Sequence, residues 1–350
     1  MNIYGGFKGD GTETSVSDRS GGASILSGDL NEDDDPTQPA TNKTDNCYHV
    51  VISVDLSVTL ILDGFTITGG YAYGSSYITV NGRPVSQEHG GGMFNVETIG
   101  PDKYVSPMLT NVTISGNSAH YYGGGMFTGD NSKPVLTNVT ISGNSADSGG
   151  GMHNNNAAPV LTNVTISGNH ATNGGGMYNF DFSPVLTNVT ISGNHATNEG
   201  GGMYNYSLPQ IRNSIIWGNT AGTGDNVYNA SNSNSNNKNK NNSNNISILP
   251  TFTCSLVQGG SSGWTAFGIN NGNNIDDDPK FVSPVAASSA PTTAGDYRLQ
   301  AGSPAIDAGN RSYFTGGNTP DLSGIKTGLD GNPRIMGGSI DIGAYEYQGN

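Results

Sequence analysis

Two aspartates, Asp130 in "FTGDNS" and Asp181 in "NFDFS", occupy equivalent points of a repeating unit, two repeats apart. A carboxyl pair can hydrolyse a glycosidic bond when one member donates a proton and the other activates water. Stacked repeats about 4.8 Å apart would separate the pair by about 10 Å, near the upper limit for an inverting glycosidase. The surroundings do not help them. From Tyr104 to Thr223 the charged residues are Asp130, Lys133, Asp147, Asp181, Glu199 and Arg212, with no aspartate cluster and no basic pair for β-elimination. The pair therefore reads first as two solvated turn aspartates and second as a catalytic site.

Three other groups have chemical potential. In "GDLNEDDDP", Asp29, Asn31, Asp33 and Asp35 alternate like the first half of a calcium loop, but the glycine at position six and the glutamate at position twelve are missing. "NNIDDDPKF", from Asn273, reads instead as a turn into a strand. His170 and His195, each in "GNHA", fall one repeat apart, close enough to share a metal or titrate together, but without a third ligand. The residues following five methionines are Phe94, Phe127, His153, Tyr178 and Tyr204. They predict an outward ladder of planar rings, on which sugars could lay their C–H faces while nearby Asn and Ser take the hydroxyls. The competing reading is that the rings shield the sheet or pack beneath a neighbouring insertion.

The elements that must position these groups come from a repeat. "LTNVTISGN" starts at Leu109, Leu136, Leu161 and Leu186, "IRNSIIWGN" continues at Ile211, and a degenerate copy, "LDGFTITGG", starts at Leu62. The steps from Leu109 are 27, 25, 25 and 25 residues, a solenoid period. Within one unit, Val164, Thr165 and Ile166 alternate in, out, in. Met177 with Tyr178 and Pro184 to Leu186 supply two more short strands. Three strands and three corners describe one coil of a parallel β-helix. Outward positions carry Thr113, Thr140, Thr165 and Thr190, with Ser115, Ser142, Ser167 and Ser192, a pattern that also admits an ice-binding solenoid as a minor alternative.

Glycine numbers 53 of 350 residues, far above the roughly 7% of ordinary proteins. Triplets before Met93, Met126, Met152, Met177 and Met203 read as corners where positive φ and close stacking leave no room for Cβ. Asn111, Asn138, Asn163, Asn188 and Asn213 form one structural column, and Asn117, Asn144, Asn169, Asn194 and Asn219 another, their amides bonding backbone and one another. The net charge of −14 argues against nucleic acid or an anionic membrane as partner, and no apolar run is long enough to span a membrane. Two cysteines, Cys47 and Cys254, give no disulfide framework and read as buried thiols. Met1 leads directly into "NIYGGF", which resembles the middle of a strand, and no signal peptide is visible.

These units resemble those of right-handed parallel β-helix proteins of the pectate-lyase-like superfold. The "GGGM…GN(S/H)A" pattern is similar to repeats of polymorphic outer-membrane proteins. "IYGGFKGDGTET…ILSGD…DNCYHVV…LDGFTITGG" resembles exported Bacteroidota surface proteins, and "DYRLQAGSPAIDAGN…GLDGNPRIMGGSIDIGAYEY" resembles the choice-of-anchor type C-terminal region such proteins carry. The resemblance implies an all-β chain, a single right-handed parallel β-helix of about 25 residues per coil with an irregular C-terminal cap, located outside the cell or on its surface.

The expected organisation is N-terminal coils and a cap loop over 1–70, an insertion over 71–108, regular coils over 109–222, a disordered Asn/Ser-rich loop over 223–247, and C-terminal coils and cap over 248–350. Ile215 and Trp217, replacing outward Thr and Ser, predict that the C-terminal region packs on that face. The favoured function is a non-enzymatic adhesin or glycan-binding stalk, monomeric, contacting polysaccharide or cell-surface glycan through the ring ladder, with calcium the one cofactor to consider. The alternative is a polysaccharide lyase or glycoside hydrolase of the pectate-lyase-like group.

Overall fold

The structure is a computed structural model that describes residues 1–8, 13, 15, 19, 22, 24–34, 41–56, 59–97, 106–230, 249–317 and 321–349. Its strands collect into three long parallel sheets. Sheet A runs from Asn2–Tyr4 through three eight-residue strands, Val135–Ser142, Val160–Ser167 and Val185–Ser192, to Ile269–Asn270. Sheet B stacks Val51–Val54, Met93–Val96, Met126–Gly129, Met152–Asn155, Met177–Phe180, Met203–Tyr206 and Val227–Asn229. Sheet C stacks six short strands from Tyr71–Ala72 to Thr220–Thr223. Equivalent residues pair in register, Leu136 with Leu161 with Leu186, and Met152 with Met177 with Met203. This all-β arrangement is compatible with a parallel β-helix solenoid. Among the described residues no helix is long and apolar enough to cross a membrane.

The core is a set of vertical columns. Leu136, Leu161 and Leu186, Ile141, Ile166 and Ile191, and Met126, Met152, Met177 and Met203 are all fully buried in one cluster. Each such side chain contributes roughly 1.5–3 kcal/mol of burial. The glycine triplets divide their labour by position. Gly149, first of its triplet, has φ of 69°, which L side chains avoid. A Cβ on Gly150 would meet the His170 carbonyl oxygen at 2.3 Å, and one on Gly151 the Gly176 oxygen at 2.6 Å. One glycine turns the chain, and the next two let the coils close up.

The asparagine column Asn117 to Asn219 is buried and continuous. The Oδ1 of Asn169 accepts from both the backbone N–H and the side-chain amide of Asn144 at 3.0 Å, and the amide of Asn169 passes the pattern on to Asn194 at 2.9 Å. The Asn111 to Asn213 column turns corners with φ of 45–54°. Its lower members do more than bond each other: Asn163 donates to Thr327 O and Asn188 to Asp341 O, both at 2.8 Å, tying the C-terminal region to the stack. A third amide column, Asn154, Asn179, Asn205 and Asn229, lies inside sheet B.

The C-terminal region packs on sheet A as Ile215 and Trp217 predict. Ile215 is fully buried against Leu256, Phe281, Tyr297, Leu299 and Ile342, with Trp217 alongside. The cover extends upward, toward the N-terminal coils. Thr165 is 1% and Thr190 0% exposed, with Ala344 N–H donating to Thr190 Oγ1 at 3.1 Å. Of the outward Thr and Ser array, Thr165, Thr190, Ser142, Ser167 and Ser192 are buried, while Thr113, Thr140 and Ser115 are half-buried. Within 71–108, Tyr71–Ala72 and Met93–Val96 are ordinary members of sheets C and B, and the antiparallel hairpin Tyr77–Val80 with Arg83–Ser86 leaves the stack. "NNIDDDPKF" does lead into a strand, Phe281–Ser283. The loop expected over 223–247 begins later, because Val227–Asn229 pairs with Met203–Asn205 as the last strand of sheet B; residues 231–248, which hold most of the Asn/Ser-rich stretch, lie outside the described residues. Cys47 is half-buried, a correction to its expected burial, and Cys254 is buried; both are free thiols.

Candidate functional site

The ring ladder is in register but is not an open glycan face. His153 and Tyr178 stack at 4.7 Å and 6°, Tyr178 and Tyr204 at 4.6 Å and 7°. Phe94 and Phe127 lie 5.1 Å apart, and Tyr228 extends the column below Tyr204. Phe94, Phe127, His153 and Tyr204 are only 4–7% exposed, and Tyr178 is half-buried. Two causes remove them from reach. Packed on one another and on their neighbours, four of the five keep almost none of their surface in solvent. The hairpin also lays Ile78, Val80 and Val85 over Phe94 and Phe127. Burial holds the His153 imidazole down to about 3, with its Nδ1 3.3 Å from Ser148 O. The shielding alternative thus describes the ladder's upper half.

Asp130 and Asp181 take the left-handed corner conformation with φ of 46° and 68°, at equivalent positions following strands that stack in register. Asp130 receives Arg83 Nη2 at 3.3 Å, while Asp181 is exposed. Neither lines the two cavities described below.

The acidic loop gathers Asp29, Asp33 and Asp34, one carboxylate oxygen of each lying within 4.8 Å of the others. Asp34 was skipped by the alternation; Asp35 lies outside the described residues, and Asn31 turns its backbone N–H to Asp45 Oδ2 at 3.0 Å. Some loss of hydration, then Asp45, Asp29 and Asp34, raise the Asp33 carboxyl. All-oxygen donors of this kind suit a hard cation such as calcium. The Lys43 ammonium and the Asn46 amide already contact Asp34, so positive charge reaches the trio from the chain itself. His170 and His195 do stack, at 5.4 Å, but His195 Nδ1 bonds Thr220 Oγ1 at 2.9 Å. Among the described residues the acidic trio is the one group of three side chains close enough to share an ion.

A groove of about 700 Å³ runs along the corner where sheets A and C meet. Its floor carries the hydroxyls of Thr68, Ser115, Ser118 and Ser145, with the Ser118 and Ser145 oxygens 3.0 Å apart. Asp29, Asp34 and Lys43 form one wall and Pro291 to Thr293 another. The corner glycines create the hollow. A Cβ on Gly116, with φ of 66°, would meet only Thr68 Oγ1, at 3.4 Å. Two coils lower the hollow closes, because Thr292 N–H donates to Gly168 O at 2.8 Å.

Beside the floor stands an aromatic platform that the sequence analysis missed. Tyr71 and Tyr73 stack at 4.3 Å, Tyr73 and His120 at 5.5 Å, and His120 and Tyr121 at 4.2 Å, with Tyr73 45% and Tyr121 41% exposed. The available signal was "YAY": Ala72 points inward and is fully buried, which turns Tyr71 and Tyr73 outward together. A second hollow of about 410 Å³ lies over Thr113 and Thr140, walled by Asp296, Arg298, Asp330 and Tyr345. Arg298 Nε donates to both Asp296 oxygens at 3.0 and 3.1 Å, which holds the carboxyl below its usual range and raises the guanidinium further. No known protein family matches the chain, and no curated protein matches it.

Proposed function

We propose that this chain is a right-handed parallel β-helix of the pectate-lyase-like kind, exported to the cell surface, where it binds glycan without transforming it. The observation that carries the reading is the open platform of Tyr73, His120 and Tyr121 beside a hydroxyl-floored groove. The exposed aromatic surface of Tyr73 and Tyr121 can carry the C–H groups of sugars, and serine and threonine hydroxyls exchange hydrogen bonds with sugar hydroxyls. Coils repeat about every 4.8 Å, close to the length of one pyranose in an extended chain, so a polysaccharide laid along the stack meets Thr68 then Ser115, and Ser118 then Ser145, one coil apart. Asp29 and Asp34 against a single Lys43 leave the wall net negative, which favours neutral glycans over polyuronates.

The lyase alternative rests on Arg298 in the smaller hollow, and the chemistry opposes it. A general base must release its proton near working pH, whereas Asp296 stabilises the protonated guanidinium. A panel of neutral and acidic polysaccharides tests both readings. Binding to a neutral glycan should fall at least about tenfold in a Tyr73→Ala/Tyr121→Ala variant and stay unchanged in Tyr178→Ala/Tyr204→Ala. Ultraviolet-absorbing unsaturated products would replace the binding reading with the lyase, and equal binding by both double variants would remove the platform.

A further inference from the structure

Among the described residues, a separate segment covers the upper coils of sheet B and none covers the lower ones, and the cover shows what such a face accepts. The hairpin places Ile78, Val80 and Val85 on Phe94 and Phe127. The Asn81 amide donates to Val54 O at 2.8 Å, and Arg83 reaches Asp55 Oδ2 at 3.6 Å and Asp130 Oδ2 at 3.3 Å. Recognition there combines β-branched side chains, ring edges and one arginine on a corner carboxylate.

The same parts recur lower down with no described segment laid over them. Tyr178 and Tyr204 continue the first ring column, and Phe180 and Tyr206 make a second, 5.5 Å apart. Phe180 is 37% and Phe182 48% exposed. Asp181 follows Phe180 as Asp130 follows Gly129, those two residues being stacked through Asn155, so it repeats the position of the carboxylate that Arg83 engages. No described cation pairs with Asp181. Glu199, hydrogen-bonded to the Tyr228 hydroxyl, adds a second negative charge.

We infer that the lower half of sheet B docks a partner protein through an extended or hairpin segment that presents β-branched residues on one face and an arginine to Asp181. Exposed phenylalanines gain from burial, and two carboxylates fix the sign of the partner. Glycan is disfavoured here because Tyr204 is only 7% exposed and Tyr178 is half-buried. A second copy of this chain is disfavoured because its own hairpin is already seated on its own sheet. The inference concerns a face separate from the glycan groove and stands or falls without it.

The probe is a cyclic peptide of residues 76–87, titrated into the full chain by calorimetry. Saturable binding is expected, about tenfold weaker for Phe182→Ser and about two- to fivefold weaker for Asp181→Asn. An Asp181→Arg chain should reject this peptide and accept one in which the arginine is replaced by glutamate. Both residues are exposed, so unfolding curves should not move for Phe182→Ser and Asp181→Asn, whereas Asp181→Arg, at a left-handed φ of 68°, should lower stability without abolishing folding. Absence of binding at millimolar peptide, or binding that the Phe182 and Asp181 substitutions leave unchanged, overturns the inference.

Discussion

The outward faces of sheets A and C both carry serines or threonines at corner-flanking positions, with tyrosine and histidine among them on sheet C, and they meet opposite fates. On sheet A, Thr165, Ser167, Thr190 and Ser192 are at most 2% exposed beneath the C-terminal region. On sheet C, Tyr73, His120 and Tyr121 remain open beside the serine floor. The local sequence hardly distinguishes them. What differs is whether another part of the chain carries a surface complementary to the face. Ile215 and the buried Leu256, Phe281, Leu299 and Ile342 anchor the cap over sheet A, and the cap stops at Thr292 and Thr293, where it becomes the wall of the groove. A polar face is therefore binding surface or interface according to what reaches it.

The strongest way to break this contrast is to release the cap. Arg334, 1% exposed, lies 3.7 Å from the buried Glu346 and donates to Asp341 O and Gly343 O. Arg334→Met strands Glu346 without its partner and should cost about 3–5 kcal/mol. Thermal unfolding should show the loss, and hydrogen exchange should expose the Thr165 and Thr190 strands before the upper coils. Next, Ile215→Ala removes the apolar anchor and should cost about 2–5 kcal/mol, read in the same way.

A finer comparison uses one corner at two heights. Gly168, with φ of 58°, faces the cap, and a Cβ there would meet Thr292 O at 2.2 Å; the equivalent Gly116 faces the open groove. Gly116→Ala should cost about 1–2 kcal/mol of backbone strain. Gly168→Ala should cost more and also shift the groove wall, weakening glycan binding. Equal costs in denaturant titration would mean that the cap does not press on that corner.

Acidity should separate two regions with opposite slopes. Burial raises the Glu346 carboxyl to about 7, so its contribution is full below the ordinary value of 4.5 and is lost as pH climbs to about 7. Burial lowers His153 to about 3 and His89 to about 4, so their contribution is full above 6.5 and is lost as pH falls toward those values. Hydrogen exchange at pH 5 and pH 7 should show the cap tighter at the lower pH and, in a Glu97→Gln chain that removes the opposing carboxyl raised by burial to about 7, the region under the hairpin tighter at the higher. Glu346→Gln should flatten the first trend and leave the second. This is the smallest effect, because Arg334 and the N–H groups of Met336 and Asp341 oppose the shift of Glu346.

The columns were legible because a solenoid translates a sequence period directly into a spatial one. Met152, Met177 and Met203 recur at the strand period and stack in the core; Asn117 to Asn219 recur likewise and form the amide ladder. Even the cap was announced by a local exception, Ile215 and Trp217 among threonines and serines. The ladder's exposure was not legible. Alternation tells which side of a sheet a ring occupies, and it does not tell whether that side is free. Tyr178 and Phe94 share one sequence signature, yet Phe94 lies under a hairpin formed by residues that precede it and Tyr178 does not.

The groove was hidden for the same reason: its floor comes from Ser118 and Ser145, its walls from Asp29, Lys43 and Thr292, and its platform from Tyr73 and Tyr121. By itself the amino-acid order determined the period, the inward columns and the glycine corners, since each depends on neighbours at a constant offset along the chain. The tertiary structure alone decided which outward faces are covered, because that depends on contacts between segments far apart along the chain, such as Ala344 on Thr190, 154 residues away, for which no period exists.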